Sequence, residues 1–118
     1  MARVVITGGS RGLGFESAKA LRALGHDLLL VAKDSDRLAA TAAQLKAEFR
    51  SVDLEDLDAT KRCFDEILTT FGTPEILILA HGVMSAKMSK TLKTDKTEWR
   101  RVMAINLHSV FCLSLIHI

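Results

Sequence analysis

Val4-Val5-Ile6-Thr7-Gly8-Gly9-Ser10-Arg11-Gly12-Leu13-Gly14 is the stretch from which the fold can be read. A β-branched run gives way at once to glycines, which is how a buried strand passes into a tight turn. Beyond the turn, Leu13, Ala18, Leu21 and Leu24 recur near helical spacing while Lys19 and Arg22 face away, and Gly25 stands where a helix takes a left-handed stop. These residues predict one complete βα unit.

Outward from that unit the pattern repeats. Leu28 to Ala32 is too continuously apolar for a strand with one wet face, and Leu38, Ala42, Leu45 and Phe49 step by four, three and four residues along a helix opened by Asp34 or Ser35. Phe49 to Val52 follows as a short strand, then Asp53-Leu54, then a helix from about Asp56 to Phe71 with Phe64, Leu68 and Phe71 inward and Gly72 closing it. After Pro74, Ile76 to Ala80 reads as a fourth apolar strand, followed by His81-Gly82 and a polar, solvated loop from Ser85 to Lys96. Four β-to-α alternations predict an α/β doubly wound parallel sheet with right-handed crossovers and helices on both faces.

Composition narrows the function classes. The chain has 118 residues, 48% hydrophobic and 25% charged, with a net charge of +2 and two cysteines 49 positions apart, so one domain without a disulfide framework is expected, in reduced, cytoplasmic surroundings. Scattered basic residues give no footprint for nucleic acid, and no apolar run approaches the roughly 18 to 20 residues of a membrane span. Gly8-Gly9 interrupts the first apolar run, so no secretory leader is expected. The histidines at 26, 81, 108 and 117 lack metal-ligand spacing, and no metal site is expected. Cys63 and Cys112 read as small core or surface residues.

The chemistry starts at Gly8 to Gly14. A turn that ends a strand and opens a helix points backbone N–H groups and the positive end of a helix dipole at one spot, where a pyrophosphate binds. The glycine spacing does not satisfy G-x-G-x-x-G in any register. It does match T-G-x-x-x-G-x-G, with Thr7, Gly8, Gly12 and Gly14 in place, and from Arg3 to about Cys112 the sequence resembles the short-chain dehydrogenase/reductase family. Asp53-Leu54 resembles that family's D-[LV] pair, whose carboxylate meets the adenine amino group, while Asp56 reads as helix entry. Ala80-His81-Gly82 sits where the family has N-N-A-G, with only the glycine retained. Trp99 and Asn106 resemble its W-x-x-x-x-x-x-N.

The resemblance implies a Rossmann-like domain, truncated after the fourth strand and the following helix, that binds a nicotinamide cofactor through Gly8, Ser10, Arg11, Gly12, Leu13, Gly14, Lys33, Asp53, Leu54, Ala80, His81 and Gly82. NADP is expected rather than NAD. Ala32 and Lys33 end the second strand where an NAD site places an acidic residue for the ribose 2′-OH, and Arg11 adds a second positive charge for a 2′-phosphate. Asp34 lies two residues late and fits a helix N-cap better.

Asn106 is the catalytic residue implied by the resemblance, holding a water that links a catalytic lysine to solvent. Steps of three and four through Trp99, Val102, Met103, Asn106 and Val110 predict that it lies within the apolar stripe of its helix, and Thr94 or Asp95 with Glu98 caps that helix. The family's serine, tyrosine and lysine lie beyond a fifth strand, and this sequence contains no tyrosine. The expectation is therefore that residues 1–112 are the N-terminal part of a single NAD(P)-binding domain. Leu113 to Ile118 resembles a translated sequencing adaptor, a non-native tail. The implied function is hydride transfer between NADP and a small-molecule carbonyl or alcohol, the full-length protein associating with itself through the helix that carries Asn106. The alternative is a catalytically silent nucleotide-binding regulator on the same fold.

Overall fold

The computed structural model describes residues 1–84, 93 and 95–115, and over them strand and helix alternate as expected. The chain runs β1 (Arg3–Thr7), α1 (Gly12–Ala23), β2 (Asp27–Ala32), α2 (Ser35–Leu45), β3 (Glu48–Ser51), α3 (Leu57–Thr70) and β4 (Ile76–Leu79). A last helical stretch begins as α4 (Lys96–Met103), widens into a π turn over Ala104–His108 and continues as α5 (Ser109–Ser114). The sheet order is β3-β2-β1-β4 and every pair is parallel, with Val4 opposite both Leu28 and Ile76.

Alternation along the central strands sends side chains to two cores. Val4, Ile6, Leu28 and Leu30 pack with Ala18, Leu38, Ala42 and Leu45 of α1 and α2 on one face, while Val5, Leu29 and Val31 pack with Leu54, Phe64, Ile67 and Leu113 on the other. A strand buried on both sides has no reason to alternate in polarity, hence the continuous apolar runs. Aspartates open three of the helices: Asp34 accepts from Arg37 N, Asp56 from Ala59 N and Asp95 from Thr97 N. Gly25 at φ +86° and Gly72 at φ +105° stand in the left-handed geometry after α1 and α3.

Several inward assignments need correction. Leu13 and Leu24 are 84% and 73% exposed, because the buried line of α1 is Gly14–Ala18 with Leu21 and Phe15 beside it. At about 100° per residue Leu13 and Leu24 fall on the flank of that line. Phe49 is neither helical nor inward: α2 ends at Leu45, Lys46 takes a left-handed φ of 53°, and Phe49 stands in β3 with one face open. On α3, Ile67 takes the inward position expected of Leu68, which is half-buried. Asp95 caps α4 by accepting from Thr97 N, and Glu98 pairs with Arg101 at 2.7 Å. Thr94, most of the loop expected from Ser85 to Lys96, and Ile116 to Ile118 lie outside the described residues.

Leu113, expected to begin a non-native tail, is 1% exposed and touches the α3 side of the core. Whatever the origin of the segment, a leucine fills that space. Leu113→Ala is expected to lower stability by about 2 to 5 kcal/mol in chemical denaturation. A change below about 0.5 kcal/mol, as for a surface residue, would show that the side chain does not belong to the core.

Candidate functional site

The carboxyl ends of all four strands open into one cleft of about 630 Å³, within the size of small-molecule sites. It sits beyond the ends of β1 and β4, the neighbouring strands at which the order of strands reverses direction. Gly8, Ser10 and Arg11 form one wall from the β1–α1 turn, and Lys33 closes it from the end of β2. Asp53 and Leu54 contribute from beyond β3, and Ala80, His81 and Gly82 from beyond β4. Gly12, Leu13 and Gly14, also expected at the site, form the first turn of α1 rather than the lining. Ser35, Val52, Val83 and Ile105 line the cleft without having been anticipated. Val52 and Ser35 had a signal, each adjoining an expected site residue or cap; Val83 and Ile105 owe their places to tertiary packing.

The three motif glycines do different work. A Cβ on Gly8 would lie 2.6 Å from the Ala80 carbonyl oxygen, and one on Gly14 would overlap the Gly8 carbonyl. Gly12 meets nothing within 4 Å, and there the φ of +61° is what calls for glycine. The turn is thereby pressed against the end of β4, with Ala80 N donating to Thr7 O at 3.1 Å. Arg11 occupies the N-cap position of α1 in extended geometry and makes no capping bond, in contrast to the aspartates that cap α2, α3 and α4. The helix that faces the cleft therefore presents its positive end without a side-chain carboxylate on it.

Among the described residues the cleft holds one ion pair. Lys33 Nζ lies 3.3 Å from Asp53 Oδ2, and both side chains are largely open to solvent, so the pair is a weak restraint that an anionic ligand can displace. Ser51 Oγ donates to the Lys33 carbonyl at 3.0 Å and steadies the backbone beneath it. Asp34 lines the cleft too, but its carboxylate is engaged as the cap of α2.

His81 and Asn106 connect the cleft to the last helix. His81 meets Thr7 Oγ1 at 2.6 Å through Nδ1, and Ser109 Oγ at 2.8 Å through Nε2. Burial pulls its pKa below the ordinary histidine value, with the Ile105 carbonyl opposing. Asn106 accepts from Val83 N and donates to Val83 O, both at 2.8 Å, so its amide pairs with the chain leaving β4. It is exposed, not within an apolar stripe: the buried line is Ile105, Ser109 and Leu113. Trp99 is itself 59% exposed, so a helix drawn from it already carries Asn106, two turns on, toward solvent, and the π turn over Ala104–His108 widens the backbone there.

A family profile described as short chain dehydrogenase matches residues 2–117. The chain belongs to the short-chain dehydrogenase family. It is 26% identical over 113 residues to galactitol 2-dehydrogenase (L-tagatose-forming) of Cereibacter sphaeroides, covering 96% of this chain and 44% of that protein. To 3beta-hydroxysteroid dehydrogenase of Mediterraneibacter gnavus it is 31% identical over 116 residues, covering 92% and 41%. Among solved structures, a metagenomic short-chain oxidoreductase in complex with NADP superposes at a TM-score of 0.91 and 28% identity, over 98% of this chain and 54% of that one. The chain thus spans less than half the length of the two curated relatives. As a short-chain dehydrogenase it has a four-stranded parallel sheet that accounts for about half of the fold seen in such structures. Among its described residues no helix is long and apolar enough to cross a membrane.

Proposed function

We propose that residues 1–112 are the cofactor-binding part of an NADP-dependent oxidoreductase that reduces a carbonyl or oxidises an alcohol. The observation that carries this reading is the uncapped, glycine-packed N terminus of α1 opening into the cleft, with Arg11 and Lys33 on its walls. The residues present fit a dinucleotide. N–H groups opening α1 face a pyrophosphate, with Ser10 and the Leu13 backbone beside them. The Asp53 carboxylate accepts from the adenine amino group, and Leu54 packs beside the base. Ala80, His81 and Gly82 form the floor. Arg11 and Lys33 take the 2′-phosphate, and Asp34 does not compete because it caps α2.

The nicotinamide, when bound, supplies or accepts the hydride. Asn106 fixes the chain after β4 through Val83 and holds its helix ready to order the water that serves a catalytic lysine. The proton donor of this reading is a tyrosine, which the sequence does not contain. A silent regulator on the same fold would bind the same nucleotide, and a Tyr and Lys four residues apart in the full-length sequence separate the two readings. We further propose a reducing, cytoplasmic location, which the unpaired Cys63 and Cys112 suit, and self-association of the full-length protein through α4 and α5.

The test is cofactor choice. Full-length protein is expected to bind NADPH at least about tenfold more tightly than NADH, since a charge-assisted contact to the 2′-phosphate contributes about 1.5 to 3 kcal/mol. Replacing Arg11 and Lys33 with alanine should erode that preference and leave NADH affinity nearly unchanged in fluorescence titrations. Equal affinities in the wild type would overturn the charge argument.

A further inference from the structure

One imidazole joins β1, β4 and the last helix at the floor of the cleft. His81 Nδ1 faces the hydroxyl of Thr7, a residue with no exposed surface, and Nε2 faces Ser109 Oγ at 2.8 Å and the Ile105 carbonyl at 3.1 Å. Of the two neutral tautomers, the one protonated at Nε2 satisfies the closest partners of the ring. A carbonyl only accepts, so Nε2 carries the hydrogen. The Ser109 hydroxyl donates to the same Ile105 carbonyl, which leaves its oxygen lone pair to accept from Nε2. Nδ1 is then a lone pair that receives the Thr7 hydroxyl hydrogen.

We propose that His81, neutral and protonated at Nε2, is a positioning residue that holds the floor of the cleft against the π turn, so that cofactor affinity falls when the ring is protonated. The proposal rests on the cofactor reading above and adds to it a residue that the N-N-A-G pattern does not contain. Its physical basis is the close approach already described. The Gly8 turn touches the Ala80–His81 peptide with no room for a methyl group, so a displacement of the end of β4 moves one wall of the pyrophosphate cradle directly.

Protonation makes Nδ1 a donor. Thr7 must then accept from it, and the nearest alternative acceptor for the hydroxyl hydrogen is the Ile78 carbonyl at 3.5 Å, at the limit of a hydrogen bond. Among the described residues the partners of the ring on β1 and on the last helix are uncharged. The charged groups of the cleft are Arg11, Lys33, Asp34 and Asp53, two cations and two carboxylates, of which Asp53 is paired with Lys33 and Asp34 is engaged as a cap. Among the described residues no carboxylate is paired with the ring to favour its charged form, and burial disfavours that form.

The sign follows. With the folded pKa depressed below the unfolded value near about 6.5, the unfolded chain binds the proton first. Stability and the cradle geometry are therefore intact above about pH 6.5 and are lost as pH falls from there through the folded pKa. The experiment compares NADP⁺ binding by calorimetry to the full-length wild type and to His81→Phe between about pH 7.5 and 5.5, with the nucleotide's own 2′-phosphate titration cancelling between them. Expected is a loss of affinity in the wild type at least about threefold larger than in the variant, which binds more weakly at pH 7.5 and keeps only the response of the nucleotide's own phosphate. His81→Gln, which keeps an N–H toward Ser109 but no acceptor for Thr7, should restore part of the affinity at pH 7.5 without the pH response. Parallel pH profiles in wild type and His81→Phe would overturn the proposal. So would an imidazolium, or a hydrogen on Nδ1, in the nitrogen NMR spectrum of wild-type His81 near pH 7.5, a measurement that needs neither variant to fold. Absence of NADP⁺ binding at every pH would instead overturn the cofactor reading beneath it.

Discussion

Gly8→Ala and Gly14→Ala in the full-length protein are each expected to abolish measurable cofactor binding and to lower stability, by about 2 to 5 kcal/mol at Gly8 and about 1 to 3 kcal/mol at Gly14. At Gly8 two costs add. An L side chain at φ +70° pays about 1 to 2 kcal/mol for the left-handed conformation, and its Cβ would stand 2.6 Å from the Ala80 oxygen and 2.9 Å from His81 N. Those neighbours are backbone atoms of an ordered strand end and cannot rotate aside, so an overpacking cost of about 1 to 3 kcal/mol follows. At Gly14 the conformation is ordinary helix, yet the added carbon would overlap the Gly8 carbonyl, again backbone. α1 would have to lift from the turn. Gly12→Ala is the control, because its Cβ meets nothing within 4 Å and only the strain of φ +61° remains, a loss of about 1 to 2 kcal/mol. Urea denaturation paired with NADPH titration measures both effects. A Gly14→Ala protein within about 0.5 kcal/mol of wild type would show that α1 does not rest on the Gly8 carbonyl as described.

The same region shows what the sequence could and could not carry. Doubly buried strands announce themselves as runs such as Leu28 to Val31, because neither face requires a polar residue. Capping aspartates are equally legible, since the bond from Asp34 or Asp56 is to an amide three residues on. Helix faces were read less well. A leucine about 100° off the buried line looks periodic on paper and is exposed in space, as Leu13 and Leu24 are. The stripe drawn from Trp99 to Val110 fails at its first residue, since Trp99 is 59% exposed, and it then crosses a π turn that no periodicity of 3.6 can represent. In the cleft, the glycine turn, Lys33 and Asp53 were found because they lie at strand ends, where this architecture puts its ligands. The connections of His81 were invisible. Its partners Thr7 and Ser109 are 74 and 28 residues away; the parallel pairing of β1 with β4 brings Thr7 to the ring, and the packing of the last helix on the sheet brings Ser109.

The 118-residue chain by itself is expected to associate in solution and to show no dehydrogenase or reductase activity. Association follows from two uncovered surfaces. Among the described residues β4 pairs with β1 alone, and along its other edge Ile76 to Leu79 present backbone donors and acceptors with an exposed Ile76 and half-buried Leu77 to Leu79, an arrangement that recruits further strands. On the last helix Trp99, Leu107, Phe111 and Leu115 are 59%, 52%, 63% and 51% exposed, the last three spaced by four residues on one side. Large apolar side chains in that density favour contact with another surface over water. Inactivity follows from the chemistry proposed above, because the proton donor of that chemistry is a tyrosine and the sequence contains none. Light scattering on the purified chain should report oligomers or aggregates whose size falls when Leu107 and Phe111 are replaced together by lysine. Assays with NADPH and a panel of carbonyl compounds should stay at background for both proteins. A monomer that oxidises NADPH with any of those compounds would overturn both halves of this expectation, since it would mean that the two surfaces tolerate water and that the proton comes from a group within these 118 residues.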